Sequence, residues 1–150
     1  MTTLILALGN PLRGDDGIGA AVLEALPNLP PDVTLLDGGT PGLDLVLRLQ
    51  GHDRVIILDA ADLGEPPGTW RCLTPDSVRG LDPQLRGNLH AAGLAEALTL
   101  GEALGILPPE ILILGIQPAA IDWSPGLSPE VARVIPEVCE AVLKLLHPAD

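Results

Sequence analysis

The chain has 150 residues and 47% of them are apolar, yet it holds no Phe or Tyr and only two Trp, so aliphatic side chains must fill its core. Eight basic residues against 20 acidic ones give a formal charge of −12, which repels phosphate and disfavours nucleic acids and anionic membranes as partners. Two cysteines, Cys72 and Cys139, stand outside any CxxC unit; this excludes a disulfide-dense scaffold and a four-thiolate metal site, and favours two reduced, packed thiols. The length suits one domain, 1–150. With no basic leader and no apolar run near the roughly 18 residues of a membrane span, the expected compartment is the cytoplasm.

Strands and helices alternate along the chain. Thr3 to Leu8 is a nearly continuous apolar run ending at Gly9, as in a strand buried on both faces. Ile18, Ala21, Val22, Ala25 and Leu26 recur at helical spacing, and Pro27 and Pro30 close that helix. Val33 to Leu36 predicts a second strand, stopped by Asp37-Gly38-Gly39, and Pro41 can open a helix through Leu49. Val55 to Leu58 is a third strand ending at Asp59, and Thr69 to Leu73 a shorter, peripheral one. His90 to Leu104 reads as a helix and Glu110 to Ile116 as the last strong strand. Val131, Val134, Ile135, Val138, Val142, Leu145 and Leu146 mark one face of a long C-terminal helix, with Pro136 inside it costing a hydrogen bond. Such alternation predicts an α/β fold: a mostly parallel sheet with helices on both faces. Ligands of these sheets sit beyond the carboxyl ends of the strands, which singles out Gly9 to Asp16, Asp37 to Gly42, Asp59 to Asp62 and Gly115 to Gly126.

Several chemistries fail at those ends. The first loop, Gly9-Asn10-Pro11-Leu12-Arg13-Gly14-Asp15-Asp16-Gly17, puts Asp15 and Asp16 where a phosphate loop needs Lys and Ser or Thr. Of the three serines, Ser77, Ser124 and Ser128, none lies in GxSxG, and Ser128 before Pro129 suits an N-cap. Among the histidines, His52 and His147 read as solvated. His90 lies near a helix start on the stripe of Leu94 and Leu98, facing the sheet end. A satisfied, partly buried imidazole is one reading of His90. The other is an open site with Asp16 and Asp59 for a divalent ion such as Zn, Ni, Co or Fe.

Taken together these residues resemble the maturation endopeptidases of nickel–iron hydrogenases. The matching blocks are Gly9-Asn10, Leu12, Asp15-Asp16-Gly17 and Gly19, then Asp37-Gly38-Gly39-Thr40-Pro41-Gly42 and Ile57-Leu58-Asp59-Ala60. They continue with His90, Gly93-Leu94, Gly115-Ile116-Gln117-Pro118 and Leu127-Ser128-Pro129, in order over nearly the whole chain. The resemblance implies a three-layer α/β/α domain around a mostly parallel five-stranded twisted sheet. It implies an endopeptidase that removes the C-terminal extension of a hydrogenase large-subunit precursor once nickel is in place. It also implies that Asp16, Asp59 and His90 are both metal ligands and catalytic residues. Nickel would be supplied by the precursor, another divalent ion could substitute, and the protein would be a monomer. Two positions depart from relatives: Asn88 replaces a hydroxyl residue two before the histidine, and Gln117 replaces a common acid. Asp15 is expected to cap the following helix, with a role as base as the alternative. The Gly38 to Gly42 turn either admits a substrate strand close to its backbone or is only a strained turn. Two rival functions remain at this level, a nickel-binding assembly chaperone without catalysis and an acidic nucleotide binder.

Overall fold

A computed structural model describes residues 1–40, 42–79 and 91–147. Its elements are β1 (Thr3–Ala7), α1 (Ile18–Ala25), β2 (Val33–Asp37), α2 (Leu45–Leu49), β3 (Arg54–Ala60) and β4 (Trp70–Leu73). They continue with α3 (Pro75–Arg79), α4 (Ala91–Leu104), β5 (Glu110–Ile116), α5 (Pro129–Ala132) and α6 (Ile135–Leu146). The described strands form one five-stranded sheet in the order β2-β1-β3-β5-β4. All neighbours are parallel except β4, which runs antiparallel to β5 at the edge.

Side-chain alternation splits the core into two layers. Leu4 and Leu6 of β1, Val55 and Ile57 of β3, and Ile111 and Ile113 of β5 face one side, where α2, α3 and α4 cover them with Leu45, Leu49, Val78, Leu94 and Leu98. Ile5, Ile56, Leu58, Leu114 and Ile116 face the other side, under Ile18 and Val22 of α1 and Val131, Val138 and Val142 of α5 and α6. A sheet covered on both faces explains why the central strands read as unbroken apolar runs instead of alternating. Branched aliphatics fill both layers, and Trp70 only packs against the rim of the second.

Three elements differ from the sequence expectation by more than one terminal residue. β3 begins at Arg54 and continues through Asp59 to Ala60, so Asp59 lies inside the strand, paired with Gly115 of β5. α2 occupies only Leu45–Leu49, because Leu45 N–H first closes a turn on the Gly42 carbonyl at 3.0 Å; Pro41 lies outside the described residues. The long C-terminal helix is two helices. Val134 N–H bonds Val131 O to end α5, and Pro136 falls in the first turn of α6. There its missing N–H has no intrahelical carbonyl to lose, so the expected interior kink does not arise. Cys139 is buried as expected, whereas Cys72 is exposed on β4; both are free thiols. No helix among the described residues is long and apolar enough to cross a membrane.

Candidate functional site

The order β2-β1-β3 means that the chain leaves β1 to one side and returns by β3 on the other, which makes the carboxyl ends of β1 and β3 a topological switch point. The loop after β1 is folded back across that point. Leu8 N–H donates to Leu58 O of β3 at 2.9 Å, and Gly9 N–H donates to Gly39 O after β2 at 2.8 Å. The chain then makes an Asx turn, Leu12 N–H to Asn10 Oδ1 at 3.0 Å, and a 3₁₀ turn over Gly14–Gly17. Glycine is required by contact at several places in this loop, two of which seat it on the sheet. A Cβ on Gly9, at φ +120°, would lie 2.0 Å from the Asp16 carbonyl oxygen, and one on Gly19 would lie 2.7 Å from Leu58 O. The first turn of α1 therefore rests directly on the ends of β1 and β3.

Asp16 ends up 1% exposed in this turn, with Oδ2 accepting the Asn10 N–H at 2.8 Å. Asp59 is 3% exposed near the end of β3, the strand next to β1. Two buried carboxylates thus flank the switch point. His90, the third member of the expected set, lies outside the described residues, as does Asn88. The described residues alone hold no group of three or more His, Cys, Asp or Glu able to bind a metal ion.

Asp15 does something the sequence did not suggest. It caps no helix; its carboxylate, 1% exposed, accepts Ser128 N–H at 2.7 Å, Ser128 Oγ–H at 2.8 Å, Ala119 N–H at 2.8 Å and Ala120 N–H at 3.1 Å. Burial pushes its pKa up, but the Ser128, Ala120 and Ala119 N–H groups and the Ser128 hydroxyl outweigh this and hold it below the ordinary value. Ser128 accordingly stands at the N-cap of α5 without a side-chain cap bond, its hydroxyl being spent on Asp15. Backbone bonds from Asp15 N–H to Ala120 O and from Gly14 N–H to Ser124 O complete the fastening of the first loop to the loop after β5. No local signal in the sequence marks these contacts, whose partners lie 104 to 113 positions away.

Gln117 is likewise buried and structural. Its Oε1 accepts Leu63 N–H at 2.6 Å, and its Nε2 donates to Asp62 Oδ1 at 3.3 Å, tying down the loop after β3. The Gly38–Gly39 turn is held to the first loop by Gly38 N–H to Ala7 O at 2.7 Å as well as by Gly39 O. His147 is exposed and His52 half-buried, both away from the switch point. Burial raises the pKa of both cysteine thiols, so neither is a ready thiolate nucleophile.

Comparison with known proteins gives a consistent result. Residues 20–145 match the family model described as hydrogenase maturation protease. The chain is 37% identical over 148 residues to the hydrogenase expression/formation protein HupD of Rhizobium leguminosarum bv. viciae, covering 96% of this chain and 73% of that one. It is 34% identical over 151 residues to the hydrogenase 2 maturation protease of Escherichia coli K12, covering 98% and 92%. The solved structure of the hydrogenase maturating endopeptidase HybD from E. coli superposes with a TM-score of 0.84 at 33% identity, covering 97% of this chain and 92% of that one.

Proposed function

The chain belongs to the family of hydrogenase maturation proteases, endopeptidases that act in hydrogenase maturation, and from that premise we propose that Asp16, Asp59 and His90 recognise its substrate through a bound metal. The substrate is a hydrogenase large-subunit precursor that already carries nickel, and the reaction removes its C-terminal extension. What carries this reading is two buried carboxylates at the switch point, Asp16 in the 3₁₀ turn of the first loop and Asp59 near the end of β3. Carboxylate oxygens are hard ligands of the kind a divalent cation takes. Adding one imidazole makes a borderline donor set with open positions, which fits nickel and tolerates other divalent ions.

The nickel enters as part of the substrate. Held by Asp16, Asp59 and His90, such an ion would supply Lewis acidity toward the scissile carbonyl. The protein's share is positional. Asn10 N–H holds one oxygen of Asp16, the strand ladder fixes Asp59, and the Asp15 clamp keeps the loop that carries Asp16 in place. Cleavage is then conditional on metal loading, because an unloaded precursor offers the three side chains nothing to grip.

The test is to incubate purified protein with nickel-loaded and nickel-free precursor and weigh the products. Truncation of the loaded form alone is the expected result. Truncation of both forms would remove the nickel requirement, and stable nickel-dependent binding without truncation would make the protein an assembly chaperone. Asp16→Asn and Asp59→Asn should each lower turnover by a hundredfold or more, of the order seen on losing an electrostatic catalytic group.

A further inference from the structure

A chain with two aromatic residues would be expected to bury both, yet Trp123 is 76% exposed. It projects from the loop after β5, and the Arg13 guanidinium stacks over its ring, 5.0 Å from the centroid. Leu12, 61% exposed, adjoins Arg13 in the first loop. The two loops are pinned together by Gly14 N–H to Ser124 O at 2.8 Å, so the patch is held rather than dangling. It begins four residues before Asp16, at the edge of the candidate site.

Charge narrows what such a patch receives. Among the described residues of the loops at this end of the sheet, Arg13 is the only Lys or Arg; the acids not fully buried there are Asp44, Asp62, Glu65 and Asp122, of which Asp44 and Glu65 pair with Arg48 and Arg71 of neighbouring elements. Its Nε is enclosed without a hydrogen-bond partner. With Nε enclosed, a planar guanidinium flattened on an indole takes a carboxylate in fork geometry through its two Nη groups. Exposed Trp and Arg together are also the residue types that dominate protein–protein hot spots.

We propose that Leu12, Arg13 and Trp123 form the surface on which this protein seats its substrate polypeptide, with an apolar side chain of the substrate covering Trp123 and Leu12 and a neighbouring carboxylate paired to Arg13. Arg13 is the one Lys or Arg in the described loops at this edge, so that pairing sets the register in which the scissile region meets Asp16. The proposal rests on the protease reading of the adjoining site for the identity of the polypeptide.

The experiment compares wild type, Trp123→Ala, Arg13→Ala and Arg13→Lys on the nickel-loaded precursor, measuring KM and kcat separately. It also records the Trp123 emission, taken as wild type minus Trp123→Ala, with and without precursor. Trp123→Ala and Arg13→Ala should raise KM roughly tenfold or more with kcat near wild type, as truncation of a hot-spot residue does. Arg13→Lys, which keeps the charge but not the fork, should fall between. The Trp123 emission should shift to the blue on adding precursor. Normal cleavage with unchanged KM in both alanine variants and an unmoved emission would overturn the docking surface. If instead wild type leaves the precursor uncut while the emission shifts, and Arg13→Ala abolishes the shift, the docking surface stands and the protease reading falls.

Discussion

At the scale of single residues, the adjacent aspartates of the first loop have separate tasks although they are indistinguishable in charge. Asp15 is consumed by structure, since four donors converge on it, whereas Asp16 gives one oxygen to Asn10 at the candidate site. Asp15→Asn would turn an amide N–H toward donors and leave buried N–H groups unpaired, so it should cost about 2–4 kcal/mol in denaturant unfolding. Because the carboxyl is held below its ordinary 3.8, its contribution is complete above that pH and is lost as pH falls through the folded value. Acid unfolding followed by circular dichroism should therefore begin at higher pH in wild type's neighbours Asp15→Asn and Asp15→Ala, and their remaining stability should depend less on pH there. Gly9→Ala is a sharper test of the loop itself. The added carbon would lie 2.0 Å from the Asp16 carbonyl at a φ of +120°, so the protein should lose most cleavage activity and melt several degrees lower. Sequence reading found the Asp-Asp pair but assigned Asp15 to helix capping. A capping bond is local and can be read from neighbours; a clamp onto Ala119, Ala120 and Ser128 exists only after folding has joined the two loops.

At the scale of elements, legibility followed how local the deciding forces were. β1 and β5 were read to within a residue because burial on both faces makes their sequences apolar throughout, and glycine or a polar residue ends them. β3 was read short, since pairing with β5 carries it past Leu58 and includes Asp59, a polar residue that looks like an end. The C-terminal helix was read as one because Val131, Val134 and Ile135 continue the same apolar face across the break. Periodicity reports the face, not the continuity of the hydrogen bonds. This has a measurable consequence. With Pro136 in the first turn of α6, Pro136→Ala should change stability by less than about 1 kcal/mol, rather than gain the 3 kcal/mol or so expected from relieving an interior proline. Val142 and Leu58 are fully buried in the same layer, so Leu58→Ala should cost about 2–5 kcal/mol in the same denaturant titration.

At the scale of the whole molecule, the charge of −12 acts in two ways that salt can separate. Self-repulsion over the surface is long-ranged and screened by any electrolyte, since the Debye length falls from about 30 Å at 0.01 M to about 8 Å at 0.15 M. The carboxylates of Asp16 and Asp59 are buried, and interactions there are screened much less than those on the surface. Raising NaCl from about 0.01 to about 0.15 M should therefore raise Tm by a few degrees in wild type and in Asp16→Asn alike, because a single charge removed from twelve hardly changes the general field. A divalent ion that uses the buried pair behaves otherwise. At matched ionic strength nickel should raise Tm above the magnesium value, by the linkage of binding to the folded state, and the excess should vanish in Asp16→Asn and Asp59→Asn. Equal effects of nickel and magnesium would remove the physical basis for metal recognition by the two aspartates. The acidity that disfavours nucleic acid thus divides into a general field that salt screens and two buried carboxylates, whose role in metal recognition this comparison of nickel with magnesium tests.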